Sequence, residues 1–251
     1  NLGYRIINAI NRSAVVTAYG LLAGAILNCG RERFSYSQIR SVVEDYLGYL
    51  ATQDAKLADT LILDQVHAVE HALDAFVQSK FIEPVSKDKS IPHPKRSYLV
   101  NAARRPSLEY YKNNCIAFFI PAAYTAMAIL QKDTFRFSAP ELHYGYAFWQ
   151  SFFKYEFAAD IDTGPGFNVR KTIKTFIDDG IVVPHQTLPD TYDVTPTGFR
   201  KLKLFALFLK TFLESYWIVL NYFMRNPQKS ATTKDHLKKI TNRGHRMYKR
   251  K

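Results

Sequence analysis

Two charge-free, apolar stretches dominate the pattern of hydrophobic and polar residues along the chain. One covers residues 13–30 and the other covers residues 113–131. Both approach the roughly 20 apolar residues that a membrane-spanning helix requires. Each is diluted by small or polar residues, and the second also contains Pro121, as is ordinary for helices buried inside a protein. We therefore interpret both as core helices, and membrane spans are the alternative.

The chain also contains one pattern twice. Each copy opens with Arg-Phe-Ser, and a Gln or Glu follows three residues after the serine, at Gln38 and Glu141. This is a capping box, in which the serine hydroxyl accepts from a first-turn amide and the Gln or Glu side chain accepts from the amide of the serine. The pattern predicts that helices begin just after Ser35 and Ser138.

Each copy continues with a second helix, a β-hairpin and a long helix rich in aromatic residues. The second helix of each copy runs into a short β-rich segment that stops at Pro84 or Pro184. Return strands are predicted at residues 97–100 and 191–194, because turn-forming residues separate them from those segments. The order helix, helix, hairpin, long helix is typical of a winged-helix-like unit.

These patterns predict a mainly α fold class with two duplicated winged-helix-like units, a leading helix and a basic helical tail. The leading helix is expected over Leu2–Leu27, and the long helices over about residues 107–131 and 197–224, where apolar residues recur at helical spacing. The expected domain boundaries are a leading apolar helix at 1–30, a first unit at 31–132, a second unit at 133–225 and a basic tail at 226–251.

The positive charge of the chain is concentrated in its tail. The 251 residues carry a formal net charge of +12. From Arg225 to Lys251 there are ten basic residues and one acid, a net charge of +9, which leaves +3 for the rest of the chain. The tail is predicted to form a short helix that is capped near Thr232 or Thr233 and ends by Gly244.

Six cations of this tail are candidates for contact with an anionic surface. They are Lys238, Lys239, Arg243, Arg246, Lys249 and Arg250. Such side chains attract anionic lipid head groups or nucleic-acid phosphates. A solvated basic helix face is the structural alternative.

Composition restricts the class of protein further. Hydrophobic residues make up 47% of the chain, which excludes a disordered protein. Two cysteines are too few for a disulfide framework and indicate a reducing compartment. The chain begins with Asn1 and shows no signal peptide, so we expect it to be cut from a longer protein.

Few residues form patterns that carry chemistry. His-x-x-x-x-Asp occurs once, at His185 and Asp190, inside the predicted hairpin of the second copy, where we interpret it as a chance match. His67 and His71 stand one helical turn apart but lack a third metal ligand, so no metal site is predicted.

Asn113 and Asn114 introduce the second apolar stretch, although asparagine is a poor helix former. If buried, their amides must be hydrogen-bonded. We predict that they act as a structural polar pin that fixes packing between the units or against a partner domain. A contribution to a ligand pocket is the alternative.

Three stretches together resemble one family. Residues 4–17 (YRIINAINRSAVVT) look like the segment that follows the catalytic domain in glycerol-3-phosphate and dihydroxyacetone-phosphate acyltransferases. Residues 110–114 (YYKNN) with the apolar helix after them are similar to a block of the carboxy-terminal region of those enzymes. The tail sequence Gly244-His245-Arg246-x-Tyr248 resembles the stretch shortly before their final residues.

The resemblance implies a parent enzyme of phospholipid biosynthesis at the cytoplasmic face of a membrane. That enzyme transfers an acyl chain from acyl-CoA or acyl-carrier protein, as substrate and without a further cofactor, to the sn-1 hydroxyl of glycerol 3-phosphate. Its catalytic His-x-x-x-x-Asp lies in an amino-terminal domain, so His185 and Asp190 match the motif in the wrong place. The resemblance therefore implies an inactive carboxy-terminal module, whose partners are that domain and an anionic membrane surface.

The alternative is a winged-helix protein that binds nucleic acid. The duplicated unit and the net charge favour it. However, residues 64–80, the second helix of the first copy, carry more acids than bases. The equivalent helix of the second copy, with Arg170, Lys171 and Lys174, is the better candidate for phosphate contact.

Overall fold

The chain is mainly helical with two small antiparallel sheets, which confirms the predicted fold class. The computed structural model describes residues 2–29, 32–86, 88, 92–132, 134–157, 164–226 and 232–248. By their internal contacts the residues form two compact units, Asn1–Phe208 and Leu209–Lys251. The winged-helix likeness and the four domain boundaries stay predictions.

The first unit contains ten α-helices and six strands among its described residues. The helices are α1 (Leu2–Ser13), α2 (Ala18–Asn28), α3 (Tyr36–Ala51), α4 (Asp59–Leu63), α5 (Gln65–Gln78), α6 (Arg105–Asn113), α7 (Ile116–Leu130), α8 (Ala139–Phe152), α9 (Pro165–Asp178) and α10 (Pro196–Ala206). The strands are β1 (Arg33–Ser35), β2 (Ile82–Pro84), β3 (Ser97–Val100), β4 (Arg136–Ser138), β5 (Val182–Pro184) and β6 (Thr191–Val194). Short 3₁₀ turns lie at His93–Lys95, Ala102–Arg104 and Leu207–Leu209, and the second unit holds α11 (Lys210–Arg225) and α12 (Thr233–Tyr248).

The two sheets have the same order and register, β1-β3-β2 and β4-β6-β5. Phe34 pairs with Tyr98 in the first sheet and Phe137 pairs with Tyr192 in the second. The rings of these pairs stack at 5.7 and 5.6 Å between centroids. The predicted return strands are therefore confirmed. The additional strands β1 and β4 were not predicted from the sequence.

Both capping boxes are confirmed. The Ser35 hydroxyl accepts from the Gln38 amide and the Gln38 side chain accepts from the Ser35 amide. Ser138 and Glu141 make the same reciprocal pair. Hydrogen bonds to Lys132 and Ser138 lower the pKa of the Glu141 carboxyl to about 2.

The prediction of one leading helix over Leu2–Leu27 is wrong, because the chain is extended between α1 and α2. Val16 forms a bridge with Leu57, and its amide donates to the Lys56 carbonyl at 2.8 Å. Thr17 then caps α2 by accepting from the Gly20 amide. The β-branched run Val15-Val16-Thr17 favours this extended segment.

The prediction of one long helix over about residues 107–131 is also wrong. The chain forms α6 and α7, and the helical segments on either side of the break are bent by 93°. Asn114 ends α6, and Cys115 begins α7. The paired asparagines mark this break, as expected for residues of low helix propensity.

The second predicted long helix, about 197–224, corresponds to α10, a 3₁₀ turn and α11. The tail helix α12 is capped by Thr232, whose hydroxyl accepts from the Asp235 amide. However, α12 continues past Gly244 to Tyr248, so the predicted end is wrong. A side-chain carbon at Gly244 would lie 3.5 Å from Ile218 of α11, an ordinary van der Waals contact, so the packing of the two helices does not require a glycine here.

The core of the first unit forms around the two charge-free stretches. Ten residues of α2 and ten of α7 are buried, as core helices require. Phe119 of α7 stacks on Phe208 with centroids 4.4 Å apart. Tyr46 of α3 contacts both rings, and its hydroxyl accepts from the buried Asn28 amide group at 2.9 Å.

Among the described residues, one helical run is long and apolar enough to cross a membrane, namely Pro196–Arg225 with a mean hydropathy of 1.3. Only 17% of its apolar window is buried. The bent pair formed by α6 and α7 passes the same test of length and composition together. The core helices of soluble proteins can have the same length and composition, so these two features do not identify a span.

Gly198, in the first turn of α10, supports the packing of the second hairpin. A side-chain carbon there would lie 1.9 Å from the Ile181 carbonyl oxygen. We expect Gly198→Ala to lower the free energy of unfolding by about 3 kcal/mol, as for strong overpacking. The control is Gly48→Ala, at an exposed and open position inside α3, which should raise stability by roughly 0.5–1 kcal/mol. Chemical denaturation measures both values, and equal effects would contradict this explanation.

Candidate functional site

The second unit contains a cleft between α11 and α12 that gathers several of the predicted tail cations. Its volume is about 350 Å³. The lining residues are Tyr222, Arg225, Asn226, Lys239, Asn242, Arg243, Arg246 and Met247. Four of these eight carry a positive charge and none is acidic. The cleft is therefore a concentrated positive site.

Arg243 is the most constrained of these cations. One terminal nitrogen of its guanidinium donates to the Asn221 side-chain oxygen on α11. Its Nε atom is buried and has no hydrogen-bond partner among the described residues. A buried donor without a partner costs about 1–3 kcal/mol, and a hydrogen-bond acceptor that reached this atom would remove that cost.

Neutral side chains hold the walls of the cleft in place. The Tyr222 hydroxyl lies 3.0 Å from His236 Nδ1, and the Asn226 side chain donates to the Tyr222 carbonyl at 2.9 Å. The single acid of the tail, Asp235, is engaged at the start of α12. Hydrogen bonds from Thr232 lower the pKa of its carboxyl.

The structure brings together only part of the predicted tail set. Lys239, Arg243 and Arg246 line the cleft, whereas Lys238 is exposed and does not. Lys249 and Arg250 lie outside the described residues. Arg225 lines the cleft as well but was not selected from the sequence, since its approach to α12 depends on how the two helices pack.

Asn113 and Asn114 are both exposed, so they form no buried pin within this chain. A role against a partner domain stays a prediction. The buried polar group at this position is the neighbouring Lys112, whose side chain is 1% exposed. Its Nζ atom lies 2.5 Å from the Glu109 carboxylate, which is 17% exposed.

Cys115 completes this junction of α2, α6 and α7. Its thiol donates to the Lys112 carbonyl at 3.3 Å, and burial raises its pKa to about 12. A side-chain carbon at Gly20 would lie 3.1 Å from the Cys115 sulfur, so α2 approaches closely here. A thiol in this state is not a nucleophile, and the junction is structural.

His185 and Asp190 lie in the turn between β5 and β6 and do not face each other in a catalytic pair. His185 Nδ1 accepts from the amides of Thr187 and Leu188 at 3.2 and 3.1 Å. The carboxylate near its Nε2 atom belongs to Asp193, at 4.0 Å. Asp190 has a φ of 49°, and its carbonyl accepts from the Ala139 amide, as turn residues do. His185 and Asp190 therefore stabilise the turn of this hairpin.

The pair His67 and His71 also has a structural explanation. His71 Nδ1 lies 3.4 Å from the Tyr19 hydroxyl, and Glu70 accepts from the Tyr36 hydroxyl at 3.0 Å. Within the described ranges, no group of three or more His, Cys, Asp or Glu side chains could hold a metal ion.

The Lys112–Glu109 pair gives a testable consequence of burial. We expect Lys112→Met to lower the free energy of unfolding by about 3 kcal/mol, because it removes the nearer of the two cations beside Glu109 and leaves Arg105 at 4.0 Å. Adding Glu109→Gln should restore roughly half of that loss. The control is Arg40→Met, which breaks the exposed Arg40–Glu44 pair and should have no measurable effect. Urea unfolding of the four proteins measures this, and a double variant no more stable than Lys112→Met would contradict it.

Comparison with known proteins gives the family. The family described as "Glycerol-3-phosphate acyltransferase C-terminal region" matches residues 1–251. No curated protein matches the chain significantly. The family match spans all three stretches on which the sequence resemblance depended, so that resemblance is confirmed. The chain belongs to the family of glycerol-3-phosphate acyltransferase carboxy-terminal regions.

Proposed function

We propose that this chain is a non-catalytic module that packs on the acyltransferase domain of the same protein and supports its orientation at a membrane. The observation that carries the non-catalytic part is the state of His185. Its Nδ1 atom accepts from two amides of its own turn, although the acyltransferase motif requires that atom to face the aspartate. The motif occurs nowhere else in the sequence.

An exposed apolar face on α1 supports the packing part of the proposal. Leu2, Ile6, Ile7 and Ile10 recur at helical spacing and are between 47% and 73% exposed. Isolated surface residues of this kind need no explanation, but a continuous stripe along one helix indicates a contact surface. In the parent enzyme α1 follows the catalytic domain, so this domain is the partner that we propose for it.

A second exposed stripe lies on α8 and continues just beyond it. Tyr144, Phe148 and Phe152 are spaced four residues apart, and Tyr155 follows after the helix ends. Tyr144 and Tyr155 are 80% and 82% exposed. Aromatic residues are enriched at protein interfaces and at the boundary of membranes. We assign this stripe to the same packing role.

Membrane association at the cytoplasmic face is the second part of the proposal. It is supported by the basic tail, since each lysine or arginine near an anionic surface contributes about 1 kcal/mol. The exposed apolar residues of α11, among them Trp217 and Leu220 at 55% and 58%, are of the type that inserts into an interface. The acyl donor, acyl-CoA or acyl-carrier protein, would be bound by the catalytic domain.

The nucleic-acid hypothesis receives less support. In the second copy, the candidate helix α9 carries Arg170, Lys171 and Lys174, but Lys171 pairs with Asp54 at 2.9 Å. The equivalent helix α5 of the first copy contains Glu70 and Asp74 and no Lys or Arg. Phosphate contact requires free cations, so α5 lacks the charge that groove binding needs, and α9 retains only part of its own.

Acyl-transfer assays test the non-catalytic role. The chain alone should show no transfer to glycerol 3-phosphate from acyl-CoA or acyl-carrier protein. In the full acyltransferase, His185→Ala should leave kcat/KM within about twofold of the wild-type value, because His185 only stabilises its turn.

The matched control is the same change at the histidine of the amino-terminal His-x-x-x-x-Asp motif, which should abolish turnover. Turnover by the chain alone would overturn the proposal. Loss of turnover in the folded His185→Ala enzyme would overturn it equally.

A further inference from the structure

We propose that the cleft between α11 and α12 binds a phosphate monoester group. The inference depends on residues of the second unit alone and goes beyond the proposed function. Its test is independent of whether the chain packs on a catalytic domain.

The charge of the cleft is the first reason. Arg225 comes from α11, and Lys239, Arg243 and Arg246 come from α12, so two helices bring four cations to one concave site. From residue 215 to residue 251 the sequence contains one acid, Asp235, and Thr232 engages its carboxylate. Four like charges repel one another without a counter-ion, and a dianion in the cleft would remove that repulsion.

The position of Arg243 is the second reason. The bond to Asn221 fixes its guanidinium, so little side-chain freedom remains to be lost on binding. Its buried Nε atom still has no acceptor among the described residues. Arginine binds phosphate through two parallel hydrogen bonds, and an Nε donor with a neighbouring terminal nitrogen provides that geometry.

Size and valence specify the ligand class. A volume of about 350 Å³ is more than one phosphate needs and lies in the range of small-ligand sites, so the group attached to the phosphate would also fit. A monoester offers three terminal oxygens and nearly two charges at neutral pH, whereas a diester offers two oxygens and one charge. Four cations with the side-chain amides of Asn226 and Asn242 match the monoester better.

Two sources carry this chemistry, a soluble phosphate ester and a lipid head group such as that of phosphatidate. Two arms of one experiment separate them, both with the whole chain at fixed ionic strength. In the first arm, glycerol 3-phosphate and inorganic phosphate are titrated by calorimetry, with sulfate as the comparison anion. In the second arm, the chain is sedimented with phosphatidylcholine vesicles that contain phosphatidate, or phosphatidylglycerol at matched surface charge.

Three single-charge variants make the test specific. Arg243→Gln and Arg225→Gln remove cations that line the cleft, and each should weaken binding at least about tenfold, as the loss of a charge-assisted hydrogen bond does. Lys238→Gln removes the same charge from an exposed position of α12 outside the cleft, and should change binding less than about twofold. Because Arg243 also contacts α11, thermal unfolding is measured for each variant. If Arg243→Gln unfolds the helices, the binding affinity of Arg225→Gln decides the test.

The outcomes are distinct. If the chain binds glycerol 3-phosphate in the first arm and the cleft variants weaken that binding, the ligand is a soluble ester. If it prefers phosphatidate to phosphatidylglycerol in the second arm, the ligand is a lipid head group. Equal weakening by all three variants would overturn the proposal, because the net charge of the tail would then explain the binding. Absence of binding in both arms would overturn it as well. So would an affinity for sulfate equal to that for the phosphate ligands, together with binding to phosphatidylglycerol vesicles equal to that to phosphatidate vesicles.

Discussion

The rest of the first unit depends on the burial of α7, a helix of fifteen residues without a charged side chain. Such a helix has no face suited to water, and its burial requires cover on every side. Helices α6, α8, α9 and α10 all contact it. At its crossing with α8, a side-chain carbon at Gly145 would lie 2.8 Å from that of Ala128, so small residues allow the two helices to approach closely. Tyr124 and Phe153 stack beside this crossing at 6.0 Å.

The duplicated hairpins bring the end of one helix next to the start of a later helical segment. After α5 and after α9 the chain turns through Lys80 and Gly180, both with positive φ near 60°. The next residue, Phe81 or Ile181, donates its amide to the preceding helix and accepts from the residue that begins the following helical segment. Gly198 in α10 lies directly on this turn, so the second copy depends on a glycine where a side chain would collide with the backbone.

Local patterns were predictable from the sequence because their physical cause is local. The capping boxes at Ser35 and Ser138 and both return strands were identified from neighbouring residues alone. Strands β1 and β4 were missed, since three residues of Arg-Phe-Ser form a strand only when a distant partner pairs with them. The breaks after α1 and α6 were missed because apolar residues continue across each of them, although Thr17 caps the start of α2 and Asn114 ends α6.

The candidate site residues also separate into those that the sequence could predict and those that depend on packing. The basic character of the tail was visible in the sequence, but its arrangement was not, because Arg225 reaches the cleft only through the packing of α11 against α12. The choice of Asn113 and Asn114 as buried groups followed their residue type. The structure buries Lys112 instead, and its charge pairs with Glu109.

The central claim, that this region packs on an acyltransferase domain, is tested most directly by amide hydrogen exchange. Deuterium uptake along α1 and α8 is compared between the chain alone and the full acyltransferase, with the already buried α2 as the internal reference. The account predicts slower exchange in α1 and α8 of the full enzyme, since their exposed stripes would be covered, and unchanged exchange in α2. Equal uptake in α1 and α8 of both proteins would contradict it.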